Sequence, residues 1–150
     1  MSVIYATLTG ILMLVAVNAT ATQQKKPAKT IVTNDNNCES NKNYFDYVAV
    51  EAGDAGSIIL IARLGDGESS RAYNRRRLHN IATYLNYIRE IPKSRIVKAE
   101  GERLAGPGRV EVYVRGELMI VFGMGRNQDL AGGECELTRS RMYYPKRRSF

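Results

Sequence analysis

Apolar and polar positions recur with two different periods along this chain. Residues 57–64 (SIILIARL) are apolar on both faces until Arg63, which predicts a central strand covered on both sides. The turn Gly65-Asp66-Gly67 ends it. Residues 71–90 then place Leu78, Ile81, Ala82, Leu85 and Ile88 on one helical face, and Pro92 stops that helix. Asn74 either caps a helix starting there or sits on the exposed side of one that starts earlier. Residues 95–100 (RIVKAE) and 109–115 (RVEVYVR) read as strands around a loop, 101–108, rich in Gly and Pro. Gly116 turns the chain into a further strand, 117–122 (ELMIVF), a hairpin by pattern. Residues 44–52 fit two readings. Phe45, Val48, Ala49 and Ala52 recur at helical spacing, yet Tyr-Val-Ala-Val is also good strand composition.

The ends of the chain are built differently. Residues 4–17 are an apolar run followed by Ala19-Thr20-Ala21, small residues at the two positions a signal peptidase reads, so residues 1–21 are expected to be a cleaved signal peptide. The run is shorter than the roughly 20 residues of a spanning helix. No Lys or Arg precedes it, while Lys25, Lys26 and Lys29 follow it; an uncleaved N-terminal anchor is the alternative. Residues 22–37 are polar and read as a linker with a short strand at 30–33. Residues 38–136 make up the domain, and 137–150 a basic tail with Tyr143 and Tyr144.

Charge and cysteine usage agree with export. The 150 residues leave room for one domain. The net charge of +7 lies entirely beyond the apolar segment and favours an anionic partner, although exported proteins without such a ligand often share it. Cys38 and Cys135 each sit among polar residues, unlike core cysteines, and are expected to pair. That bridge would close a loop of roughly 100 residues, about 4–5 kcal/mol in the chain-entropy model. Two cysteines and the single His79 are too few for a structural zinc site, and no cofactor is expected.

No constellation argues for an enzyme. Asp66 and Glu68 follow the central strand, but carboxylates this close in a Gly-rich turn are usually solvated. Gly65-Asp66-Gly67 is too short to cradle a phosphate. Arg75-Arg76-Arg77 is more distinctive. Three successive arginines spread over roughly 200° of a helix, so they cannot all face one ligand. A solvated basic face is one reading; the other sets one guanidinium near the sheet edge, where it can grip a carboxylate in two places.

The middle of the chain resembles the OmpA-like C-terminal, peptidoglycan-binding domain. The residues that carry this resemblance are the segment from Phe45 to Ala52, SIILIARL, Gly65-Asp66, Tyr73-Asn74, Arg77-Leu78, Ala99-Glu100-Gly101-Glu102 and Arg109-Val110-Glu111-Val112. Arg-Leu-Gly-Asp stands where the family has Gly-His-Thr-Asp. The resemblance implies a helix at 44–52 and an Asp/Arg clamp for the diaminopimelate of cell-wall peptides. Asp66 would take its ammonium and Arg77 its carboxylate, with Asn74 beside them.

The expected architecture is therefore an α+β two-layer sandwich, with a mixed sheet of three to five strands and two helices on one face. The expected function is non-catalytic binding in the periplasm or outside the cell, to peptidoglycan or another anionic envelope component, not to nucleic acid. The alternative is an accessory or structural subunit of an envelope assembly. It would dock a protein partner through the basic tail and the hairpin 109–122, with residues 119–122 as an edge open to pairing.

Overall fold

The computed structural model describes residues 29–131; the apolar segment, Cys135 and the basic tail lie outside them. The described elements are β1 (Ile31–Thr33), α1 (Cys38–Ala52), β2 (Ile58–Arg63), α2 (Ala72–Tyr87), a 3-10 turn (Lys93–Arg95), β3 (Ile96–Glu100), β4 (Gly108–Val114) and β5 (Glu117–Met124). One five-stranded sheet runs β1-β5-β4-β2-β3. β2 and β3 are parallel, as are β1 and β5, whereas β4 runs antiparallel to both neighbours. This is the expected α+β sandwich, with five strands and two helices.

Local chemistry sets the element ends. α1 begins six residues before the expected start because Asn37 accepts from the Glu39 N–H at 2.9 Å and caps the helix. It ends at Gly53, whose φ of +51° is a left-handed conformation that a side chain would strain. Arg95 then covers that end, donating to the carbonyls of Gly53 (2.6 Å), Asp54 (2.9 Å) and Gly56 (2.6 Å). α2 stops at Tyr87, and Glu90 takes a left-handed φ of +55° before Ile91 and Pro92.

The helices pack on one face of the sheet. Phe45, Val48 and Ala52 from α1 and Leu78, Ile81 and Leu85 from α2 meet Ile58, Leu60 and Ala62 of β2 and the alternate residues of β4 and β5. Phe45 packs between the rings of Tyr84 and Phe122, 5.4 and 5.6 Å away.

Three expectations change. β2 is buried on one face only: Ile59, Ile61 and Arg63 on the other are half-buried, and no helix of the described residues covers them. The short strand expected at 30–33 forms as β1, but it belongs to the sheet rather than to a linker, pairing with Ile120, Val121 and Phe122. Those same residues were expected to form an open edge, but β5 lies inside the sheet between β1 and β4. Among the described residues the open edges belong to β1 and β3.

Candidate functional site

The expected site lies where the turn after β2 meets the first turns of α2. The structure does not assemble the clamp there. Asp66 is exposed, and it is tied to the loop before β4: its Oδ2 accepts from the Gly106 N–H at 2.7 Å, and its own N–H donates to Gly106 O at 2.7 Å. Arg77 is 0% exposed and turned inward. Asn74 neither caps α2 nor faces solvent; it is buried beside Glu100, and its Oδ1 has no hydrogen-bond partner.

Arg77 meets Glu68 instead. Arg77 donates from NH2 to Glu68 Oε1 at 2.5 Å and from NH1 to Oε2 at 3.2 Å. Its Nε and NH2 also donate to Gln128 O, at 2.9 and 2.6 Å. Glu68 accepts in addition from the N–H groups of Gly65 (2.8 Å) and Asn127 (3.0 Å). Burial pushes the Glu68 carboxyl up, but the Arg77 hydrogen bonds and the two amides outweigh it and hold it below the usual carboxylate range. Glu68 is thus not the solvated turn residue its sequence context suggests. It covers the guanidinium that the resemblance assigns to a ligand carboxylate.

This pair belongs to a larger clasp. Beyond β5, residues 125–131 fold back across the helices as a strap. Arg76 grips Asp129 with two bonds of 2.8 and 2.9 Å, and Asn80 donates to Leu130 O at 2.9 Å. Asn36 and Asn41 hold Ala131: Asn36 Oδ1 accepts from its N–H at 2.8 Å, and Asn41 donates to its carbonyl at 2.8 Å. Leu130 is fully buried. Two members of the arginine triplet therefore bond within the protein, Arg77 buried and Arg76 half-buried, and Arg75 alone of the three is exposed.

A second charged cluster lies on the helix-free face of the sheet. Glu111 accepts from Arg63 Nε at 3.1 Å, Arg109 Nε at 2.7 Å and the Tyr113 hydroxyl at 3.2 Å. Burial raises its pKa, but Arg109 and Arg63 more than offset that and hold the carboxyl low. Its charge is spent on these neighbours.

Among the described residues no group of His, Cys, Asp and Glu could hold a metal ion. No described helix is long and apolar enough to cross a membrane. Set against family models, curated proteins and solved structures, the chain matches none.

Proposed function

We propose that this chain is a non-catalytic accessory domain of the cell envelope that acts by docking a protein partner. The observation that carries this reading is the closed Arg77–Glu68 pair: the one guanidinium suited to a wall-peptide carboxylate already holds an internal one, with both side chains at most 1% exposed. Opening that pair would strand a buried charge, at a cost of about 3–5 kcal/mol. Peptidoglycan binding through Asp66 and Arg77 would have to meet that cost with ligand contacts. Purified cell-wall sacculi provide the test. The protein is expected to stay in the supernatant; pelleting that disappears in Asp66→Ala would restore the peptidoglycan reading.

Export and a Cys38–Cys135 bridge belong to the same proposal. Cys38 is not a free thiol. Ala131 of the strap is fastened to Asn36 and Asn41 on either side of Cys38, and Cys135 follows only four residues later, a span of about 13 Å at full extension. Mass spectrometry of protein from the producing cell checks both points. The expected species begins at Thr22 and gains two hydrogens on reduction.

A further inference from the structure

β3 is a five-residue edge strand with no described strand on its outer side. The Gly101 N–H donates to Ala62 O at 3.0 Å, continuing the ladder between β2 and β3. Backbone groups of successive strand residues point alternately to the two sides, so Val97 and Ala99 share the direction of Gly101. The N–H and C=O groups of Lys98 and Glu100, with the C=O of Ile96, then face away from the sheet, the row a further strand would pair with; the Ile96 N–H already donates to Lys93 O in the 3-10 turn. The side chains of Ile96, Lys98 and Glu100 lie on the helix side, because their β2 partners Ile58, Leu60 and Ala62 are core residues.

Between that row and α2 runs a groove formed by two adjoining hollows of about 250 and 470 Å³, which share His79 and Lys98. Ala82 and Ile96 give it an apolar floor. Arg75, Lys93 and Lys98 stand exposed along it, with Lys93 Nζ 5.8 Å from the centre of the Tyr87 ring. The one carboxylate lining either hollow, Glu100, is held by Arg71 at 2.9 Å.

We propose that β3 is the docking edge for an extended acidic segment of a partner protein. The segment adds to the sheet as a further strand and lays alternate carboxylates against Arg75, Lys93 and Lys98. This names the partner chemistry for the docking role above and rests on it. Main-chain pairing supplies affinity, and the groove selects side chains. A wall glycan or a nucleic acid would satisfy the cations but leave the outward amides unpaired. A second copy of this chain fits poorly, because pairing centred on Lys98 sets like charges opposite one another. The chain's own ends carry the wrong sign: residues 1–28 have no carboxylate side chain, and residues 132–150 have two glutamates against five Lys and Arg.

The test titrates the isotope-labelled protein with the peptide acetyl-Glu-Val-Asp-Val-Glu-Val-amide and with its counterpart carrying Lys at each acidic position. The acidic peptide is expected to slow amide exchange at Lys98 and Glu100, while the already bonded Ile96, Val97 and Ala99 change little. Lys98→Ala removes charge alone and is expected to weaken binding several-fold. Lys98→Pro also removes the outward donor without touching the ladder to β2, and is expected to weaken it about a further tenfold, one lost hydrogen bond. A thermal melt establishes that the Pro variant is folded; if it is not, the exchange pattern and Lys98→Ala decide. No binding, equal binding of the Lys peptide, or binding that leaves the Lys98 and Glu100 amides exchanging freely would each overturn strand addition at β3. Docking through another surface would survive that result; pelleting with sacculi through Asp66 would instead remove the docking reading itself.

Discussion

Arg77 and Glu68 share a two-pronged ion pair, 2.5 and 3.2 Å long, sealed beneath Gly108 at the join between β2, α2 and the strap beyond β5. The pair does not act alone, since Glu68 also holds two backbone N–H groups and Arg77 a backbone carbonyl. Removing one member leaves the other charged in a dry site. Glu68→Ala and Arg77→Ala are each expected to lower unfolding free energy by about 3–5 kcal/mol. The double change Glu68→Leu with Arg77→Met is expected to cost less than the two singles together. Urea titration of the four proteins measures the coupling; singles that lose under about 0.5 kcal/mol would show the pair contributes no stability.

Three carboxylates give stability a defined pH dependence. Glu68, Glu100 and Glu111 all titrate below the ordinary 4.5. At Glu68 and Glu111 burial opposes ionisation and Arg77, or Arg109 with Arg63, overcomes it; at Glu100 the hydrogen bond from Arg71 leads. A pKa lowered by folding means that the unfolded chain binds protons first. The stabilisation is therefore complete above about pH 5 and lost as pH falls through 4.5 and below. Thermal unfolding followed from pH 7 to pH 3 should show a plateau and then a fall. Glu68→Gln should start lower and fall less.

The sequence pattern marks nearly every element but not the clasp. Leu78, Ile81 and Leu85 fix the buried face of α2, and Ile58, Leu60 and Ala62 that of β2, because each periodicity is imposed by a single covering layer. The open face of β2 escapes the pattern, since Ile59 and Ile61 are apolar yet only half-buried. Strand order is likewise invisible in alternation: nothing in residues 30–33 announces that β1 will cover β5. Glu68 is misread for a physical reason. In a Gly-rich turn a carboxylate is normally wet, and only the arrival of Arg77, nine residues on, and of Asn127, 59 residues on, makes a buried site for it. The sequence does hold one usable signal. Leu130 is a bulky apolar residue in an otherwise polar segment, and it is the strap's fully buried side chain.

Gly108 is required by the pair it covers. A Cβ there would lie 2.5 Å from Glu68 Oε2, 3.0 Å from Arg63 O and 3.1 Å from Arg77 NH1. The pair cannot retreat, because both members are locked by other bonds. Gly108→Ala is expected to cost about 1–3 kcal/mol, the usual range for forcing extra volume into a packed site. Gly116→Ala makes a contrasting control. Its Cβ would meet nothing within 4 Å, so its cost is limited to the strain of a φ of +85°. If the Gly108 variant also keeps the wild-type acid midpoint, its Cβ has not disturbed Glu68.

The proposed Cys38–Cys135 bridge would act on the strap. Arg76, Arg77 and Asn80 fasten it from α2, and Asn36 and Asn41 from the start of α1. A covalent link at that point would remove conformations from the unfolded chain rather than add contacts to the folded one. With a loop of roughly 100 residues, reduction or Cys38→Ser is expected to cost about 4–5 kcal/mol at most. Because the strap's polar contacts do not involve the sulfur atoms, the reduced protein is expected to keep the Arg77–Glu68 pair and its acid midpoint. Equilibrium denaturation with and without reductant gives the size of the effect. Equal stability in both would count against the bridge, whereas loss of all cooperative unfolding would mean that the strap's contacts depend on it.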